Sequence, residues 1–415
     1  MRLNLPPLSH ALMGLSAAVL PWLMACDAAH AQSAYTLSVL SKPSSHKTAA
    51  PLVLDAAGNA YGAGAYYVKT VYEFGQFPSC FVCAVYGYQE VKWPASTAST
   101  VSGALGLKDF LPMAVSDDGN TLAGPADPDR LGGDGSRLVP GIASSSRAEA
   151  LVDYSVKTGI KRNGVLSNVP APTGYSGFSL GGMNSAGVIA GSNSPINKVG
   201  VTGPDAMLWE QGTYTFMDEA PRGLVEMQTP VAINSRQQVA VNVYNRNDDP
   251  ALRKYTVTLW SPKEGTRQAV LGGLTGVEAA GLNQLGQVLL RGRLGDSPRP
   301  QATHVWQNGV LTAVTGNIVN GQSVLGNAIN DSGTVVGCLY NFNRTLSRAA
   351  FTPFIWQRGV MENLSTHLAS KGLKLPAGQA LACPYAINNA GTILTAMYQV
   401  SNEKNTKWVR INALP

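Results

Sequence analysis

The stretch NAINDSGTVVG, residues 327–337, sets an apolar pair, a polar turn and a second apolar run side by side. Asn330 opens the turn and Gly333 closes it three positions later. Asn, Asp or Ser at the first position with Gly at the fourth is the pattern of a type I turn followed by a left-handed residue. The side-chain oxygen bonds the backbone within the turn, and Gly takes positive φ without a Cβ clash. The stretch therefore predicts a β-hairpin.

Aligned on Asn330, the chain yields seven copies: VLDAAGNAYG, AVSDDGNTLA, GMNSAGVIAG, AINSRQQVAV, GLNQLGQVLL, AINDSGTVVG and AINNAGTILT. The anchors are Asp55, Ser116, Asn184, Asn234, Asn283, Asn330 and Asn388, followed by Gly58, Gly119, Gly187, Gln237, Gly286, Gly333 and Gly391. Gln237 departs from the pattern and would carry strain of about 1 kcal/mol in a left-handed conformation. After each hairpin comes a short apolar segment ending in an aromatic residue: Trp93, Tyr154, Trp209, Trp260, Trp306, Trp356 and Trp408. In several copies a turn and another strand follow, as in WQNGVLTAV and WQRGVMENL. Each unit thus reads as four strands, a to d.

A lone sheet of that size leaves an apolar face exposed, so such units stack on their neighbours. The fold class expected is all-β: one seven-bladed β-propeller of four-stranded blades over residues 32–415. Small residues before the anchors suit strands crowded at an axis, and the indoles suit the wider space between blades. Two smaller propellers or a β-solenoid are the alternatives, the solenoid disfavoured by unequal repeat spacing. The chain stops at VRINALP, too soon for a fourth strand in the last unit, whereas YTLSVL at Tyr35–Leu40 precedes the first hairpin where such a strand belongs. The N-terminal strand is expected to complete the last blade, which removes exposed sheet edges.

Residues 1–31 read as a signal peptide, with Arg2, the apolar run ALMGLSAAVLPWLMA and the small-x-small site Ala29-His30-Ala31 before Gln32. The alternative is a lipoprotein anchored through Cys26, since Leu23-Met24-Ala25-Cys26 partly matches a lipidation box. No later run reaches the ~20 apolar residues of a transmembrane helix. A net charge of +6 on a chain only 13% charged, without Lys/Arg blocks, gives no footprint for nucleic acid. Cleavage leaves Cys80, Cys83, Cys338 and Cys383, an even set that suggests two bridges in an oxidising compartment: Cys80–Cys83 locally, and Cys338–Cys383 between units six and seven.

AINDSGTVVG, WQNGV, WQRGV and LGGLTGVEAAGLN together resemble the HAF-repeat family of predicted extracellular bacterial proteins, across most of the mature chain and most clearly from residue 182 onward. The naming His-Ala-Phe element is partial here, echoed by Ala350-Phe351 and Ala206-Met207. The resemblance implies export and a β-rich repeat, and it carries no catalytic residues.

In a propeller the a–b and c–d turns share one side; b–c loops and the links between blades share the other. The longest insertions fall between b and c of the first two units, so that second face is the expected binding surface. The first insertion groups Tyr72, Phe74, Phe77 and Phe81 beside the cysteine pair, aromatics suited to sugar rings or a protein partner. The second, GPADPDRLGGDGSR, brings Asp127 and Asp129 with Arg130; its spacing does not match an EF-hand, and no metal or other cofactor is expected. His46, His304 and His367 lack metal-ligand spacing and read as surface or inter-blade residues. HExxH, Walker and dinucleotide-binding signatures are missing. These features favour an exported non-enzymatic protein that binds an envelope component, glycan or protein. The alternatives are a carbohydrate-active lyase or hydrolase, with carboxylates converging at the channel mouth, and a structural adhesion or surface-layer protein.

Overall fold

The computed structural model describes residues 34–71, 83–108, 110–126, 158–175, 178–193, 204–217, 225–246, 254–270, 275–293, 301–316, 322–341 and 351–414. Their strands belong to one compact unit, Ser33–Pro415. All the expected a–b hairpins are present. In the quoted stretch Asn330 N donates to Thr334 O (3.1 Å) and Gly333 N donates to Asn330 O (3.0 Å). Residues at the Gly position are left-handed, from φ 60° at Gln237 to φ 86° at Gly58, so Gln237 takes the strained conformation its place demands. Four c–d turns, Asn163-Gly164, Gln211-Gly212, Asn308-Gly309 and Arg358-Gly359, have positive φ at both residues. That geometry matches the twist of the strands they join.

The strands form seven sheets among the described residues. Sheet 1 is Thr48–Leu54, Ala60–Val71, Cys83–Trp93 and Ala104–Lys108; sheet 2 is Ala114–Val115, Thr121–Pro125, Thr158–Arg162 and Val165–Asn168. Sheet 3 is Ser179–Met183, Ile189–Asn193, Asp205–Glu210 and Thr213–Phe216; sheet 4 is Val225–Ile233, Val239–Arg246, Lys254–Ser261 and Thr266–Val270. Sheet 5 is Thr275–Leu282, Val288–Arg293, Gln301–Gln307 and Val310–Ala313; sheet 6 is Gln322–Ile329, Val335–Asn341, Phe351–Gln357 and Val360–Asn363. In sheet 7, Gln379–Leu381 and Ala386–Ile387 both pair with Ile393–Gln399, which pairs with Asn402–Ala413. One helix, Leu364–Ser370, which the sequence reading did not anticipate, links sheets 6 and 7; Asn363 caps it by accepting from Thr366 N (3.1 Å).

The N-terminal strand Tyr35–Ser41 completes sheet 7. It runs antiparallel to Asn402–Ala413, with Tyr35 opposite Ala413 and Val39 opposite Val409. Its other edge is covered in parallel by Thr100–Ser102, a detour of sheet 1 between its third and fourth strands. Trp93 Nε1 donates to Ser41 O (2.8 Å), a further tie between sheet 1 and this strand.

Core packing follows from the aromatic slot. Trp209 packs with Ala123 and Ile160 of sheet 2, Trp260 with Ala190 and Leu208 of sheet 3, Trp306 with Val257 and Leu259 of sheet 4, and Trp356 with Leu289 and Val305 of sheet 5. Trp93 packs with Leu394 of sheet 7. Each indole removes roughly 200 Å² from water, so the sheets hold one another through these wedges. Two slots differ from the sequence expectation. In sheet 7, Ile393 lies opposite Ile411, as Val335 lies opposite Trp356, so Ile411 fills the slot and packs with Val336 and Ile355 of sheet 6. Trp408, three residues earlier, is half-buried edge-on to Tyr385, with ring centroids 5.7 Å apart. In sheet 2 the hairpin is one residue longer: Ser116 N donates to Thr121 O, whereas Asn283 N donates to Gln287 O. The slot therefore falls opposite Leu122, on Lys161. Tyr154, the residue expected there, lies outside the described residues.

Lys161 has no indole to offer sheet 1 and makes an ion pair instead. Its Nζ lies 2.6 and 2.8 Å from the carboxylate oxygens of Glu90, a residue only 2% exposed, and Leu107 N also donates to Glu90 (3.1 Å). Gly106 makes room for this carboxylate, because a Cβ there would stand 2.5 Å from it.

Candidate binding site

The anchors decide what one rim of the molecule can do. Each Asn divides its amide between two tasks. Its Oδ1 accepts within its own turn, as Asn283 does from Leu285 N (3.1 Å) and Gln287 N (2.9 Å). Its Nδ2 donates to the anchor carbonyl of the next sheet: Asn184 to Asn234 (3.1 Å), Asn234 to Asn283 (3.2 Å), Asn283 to Asn330 (2.9 Å), Asn330 to Asn388 (3.1 Å) and Asn388 to Asp55 (2.8 Å). The chain of bonds thus returns from sheet 7 to sheet 1. Asp55 has no amide donor with which to continue it, and the next links are Ala56 N to Asp117 O (3.1 Å) and Arg162 Nη2 to Gly187 O (3.2 Å). Asn283 is 3% exposed, and Asn283→Asp turns a donor into an acceptor facing the Asn330 carbonyl and Gln287 Oε1. We expect a loss of about 2 kcal/mol in urea unfolding; an unchanged midpoint would mean that the amide does not bridge the sheets.

The residues after the anchors extend the network. Ser235 N and Oγ both donate to Gln284 Oε1 (2.7 and 2.6 Å), Gln284 N donates to Asp331 Oδ1 (2.8 Å), and Asp331 N donates to Asn389 Oδ1 (2.9 Å). Asp117 of sheet 2 has its carboxyl raised by burial first, then by the charges of Asp331, Asp118 and Asp55. Asp331 belongs to sheet 6, so turns from non-adjacent sheets lie within electrostatic reach. Asp117 is exposed as a residue, so the desolvation is partial and the repulsion is screened by solvent. A carboxyl raised on folding binds its proton more tightly in the native state. Its contribution is complete below the unfolded pKa and is lost as pH rises through the folded value. Asp117→Asn should therefore gain stability relative to the parent on going from about pH 3 to about pH 7; a difference independent of pH would contradict this.

The anchors and the residues after them thus bond largely to one another. No group of three or more His, Cys, Asp or Glu side chains suited to a metal ion occurs among the described residues. The opposite rim, where strands b lead into strands c, differs in character. Tyr244 and Tyr255 are the cross-strand pair next to the b–c connection of sheet 4, stacked with centroids 4.4 Å apart, and Tyr255 is 53% exposed. Tyr340 and Phe351 hold the same place in sheet 6, stacked at 4.6 Å. Sequence reasoning passed over these pairs. The signal was a Tyr-Asn step ending strand b with an aromatic opening strand c, in YNRNDDPALRKY and YNFNRTLSRAAF.

Tyr72, Phe74, Phe77, Phe81, Asp127, Asp129, Arg130 and Cys80 lie outside the described residues. Cys83 opens the third strand of sheet 1. Cys338 and Cys383 form the expected disulfide, with an S–S distance of 2.05 Å. The three histidines are buried rather than superficial: His46 and His367 are each 3% exposed and His304 is 9% exposed. They do not converge. His46 Nδ1 meets Ser45 Oγ (3.0 Å), while His367 bridges Glu362 Oε2 (2.5 Å) and Tyr35 Oη (3.4 Å). Burial lowers the pKa of His304, and burial followed by the charge of Lys42 lowers that of His46.

No family model matches the chain, and neither does any curated protein. Among solved structures, the β-propeller domain of the trilobed protease of Pyrococcus furiosus, described as having an open velcro topology, is similar at a TM-score of 0.50 and 10% identity, covering 88% of this chain and 94% of that one. An acylaminoacyl peptidase of Pyrococcus horikoshii is similar at a TM-score of 0.50 and 11% identity, over 88% of this chain and 52% of the peptidase. The chain thus spans about half of that enzyme. At such identity the likeness shows the fold alone, that of a β-propeller.

Proposed function

We propose that the mature chain is a seven-bladed propeller, closed by its N-terminal strand, that is exported and serves as a non-enzymatic scaffold binding an envelope glycan or protein on its loop-bearing rim. The seven sheets, their wedges in chain order and the return of the anchor bonds from sheet 7 to sheet 1 support the ring. Export accords with the signal-like residues 1–31, with the HAF-repeat resemblance and with a disulfide suited to an oxidising compartment. No helix among the described residues is long and apolar enough to cross a membrane.

The observation that carries the binding reading is the asymmetry of the rims. One ties its turns together with their own hydrogen bonds; the other presents an exposed tyrosine, Tyr255, stacked on Tyr244 beside a connecting loop, while the matching pair in sheet 6 is largely buried, with Tyr340 6% exposed. Aromatic anchors on a rigid scaffold are common determinants of recognition. A glycan array and a pull-down from envelope extract with residues 32–415 test the proposal. A partner lost on Tyr255→Ala or on deletion of residues 72–85 is the expected result, and binding indifferent to both would overturn it.

A further inference from the structure

On the side of the a–b and c–d turns, a groove of about 390 Å³ opens between sheets 5 and 6. It is lined by Gln287, Val305, Gln307, Asn308, Thr312 and Trp356, with Val310 at its edge, 65% exposed. We infer that this groove is a subsite for a neutral saccharide residue. Its volume lies at the small end of the ~300–1,000 Å³ range of ligand pockets, and its chemistry is divided. Val305, Val310 and Trp356 supply apolar surface for the C–H groups of a sugar ring. Gln287, Gln307, Asn308 and Thr312 supply amides and a hydroxyl, groups that both donate and accept, as sugar hydroxyls do. Among the described residues no charged side chain lines the groove, so none of them compensates a carboxylate, phosphate or ammonium.

The polar wall is already oriented. Asn283 Nδ2 donates to Gln287 Oε1 (2.6 Å), and Gln287 Nε2 donates to Gln307 Oε1 (3.1 Å), which leaves hydrogen-bonding capacity on both amides. On the apolar side Trp356 is 7% exposed, and its Nε1–H is buried without a hydrogen-bond partner among the described residues. The equivalent group of Trp93 is satisfied by the Ser41 carbonyl, whereas that of Trp209 is likewise without a partner among the described residues. A buried donor left unpaired costs ~1–3 kcal/mol. Side chains at the place of Gln307 in two other units are charged and engaged elsewhere: Arg162 stands 6.0 Å over the Trp209 ring, and Glu210 accepts from Gln237 Nε2 (3.3 Å).

The test is a titration of residues 32–415 with N-acetylglucosamine, galactose, glucose and cellobiose, and with glucuronate as the charged counterpart. Tryptophan fluorescence and the indole ¹H–¹⁵N resonances report binding. The subsite predicts saturable binding of at least one neutral sugar, displacement of one indole resonance, and affinity lowered about tenfold or more by Gln307→Ala and by Val310→Glu. Both substitutions lie toward the surface, and their thermal unfolding serves to confirm the fold. Deletion of residues 72–85 should leave this binding unchanged, which separates it from recognition on the loop-bearing rim. Saturable binding of no neutral sugar, equal binding of glucuronate, or affinities indifferent to both substitutions would each overturn the inference.

Discussion

Replacing Arg410 by Ala is expected to cost about 4 kcal/mol and to lower Tm by roughly 5 °C for a chain of this size. Arg410 projects from the third strand of sheet 7 and is 0% exposed. Its Nη1 donates to Gly58 O (2.7 Å) in the first hairpin of sheet 1 and to Trp93 O (3.4 Å), and its Nη2 donates to Ser96 O (3.0 Å). One guanidinium thus satisfies three carbonyls across the junction where the end of the chain meets its beginning. Burial pulls its pKa down, and the nearby Asp55 carboxylate opposes that shift. Truncation leaves the carbonyls without their donor and opens a cavity. Arg410→Met fills much of the volume but restores no donor, so it should recover only part of the loss. Denaturant unfolding measures both, and an Ala variant within about 1 kcal/mol of the parent would show that this junction adds little.

The second large effect is expected from the bridge between sheets 6 and 7. Cys338 lies in the second strand of sheet 6 and Cys383 just beyond Gln379–Leu381, 45 positions apart in sequence. Restricting a loop of that length removes enough unfolded-state entropy to contribute about 4 kcal/mol. Joint replacement by Ala should lower stability by about that amount while leaving the fold intact, because the sheets on either side keep their wedges. Cys338 is 1% exposed, so a reductant should act slowly on the native protein and quickly once denaturant opens it. A double variant as stable as the parent would contradict the assignment.

Much of this architecture was legible because it is local. A polar anchor followed three residues later by Gly, or once by Gln237, and flanked by apolar runs specifies a hairpin, and seven such turns mark seven sheets. The closing strand could be read as well, since YTLSVL stands where an unpaired strand is needed and KWVRI lacks a partner downstream. The misplaced slots have physical reasons. One added residue in the hairpin at Ser116 shifts the register of sheet 2, and only the turn Asn163-Gly164, two residues after Lys161, marks the true position. The last unit has no such turn after its third strand, so Trp408 drew the eye from Ile411. The contacts of Arg410 with sheet 1, the ion pair of Lys161 with Glu90 and the detour of Thr100–Ser102 join positions far apart in the chain, which no local pattern encodes. The preference for Asn over Asp among the anchors was visible, but not its reason, which lies in a donor that reaches the next sheet. Recognition was least legible: the loop residues proposed from composition lie outside the described residues, and the aromatic pairs on sheets 4 and 6 emerge only once the register is known.

Hydrogen–deuterium exchange of residues 35–41 tests the account most directly, because everything else depends on the strand Tyr35–Ser41 completing the final sheet. If Tyr35–Ser41 is paired along Asn402–Ala413, its amides exchange only with global unfolding, as slowly as those of Trp408–Ile411 and with the same dependence on denaturant. Exchange of residues 35–41 at the rate of a free terminus, while residues 408–411 stay protected, would contradict closure and with it the ring.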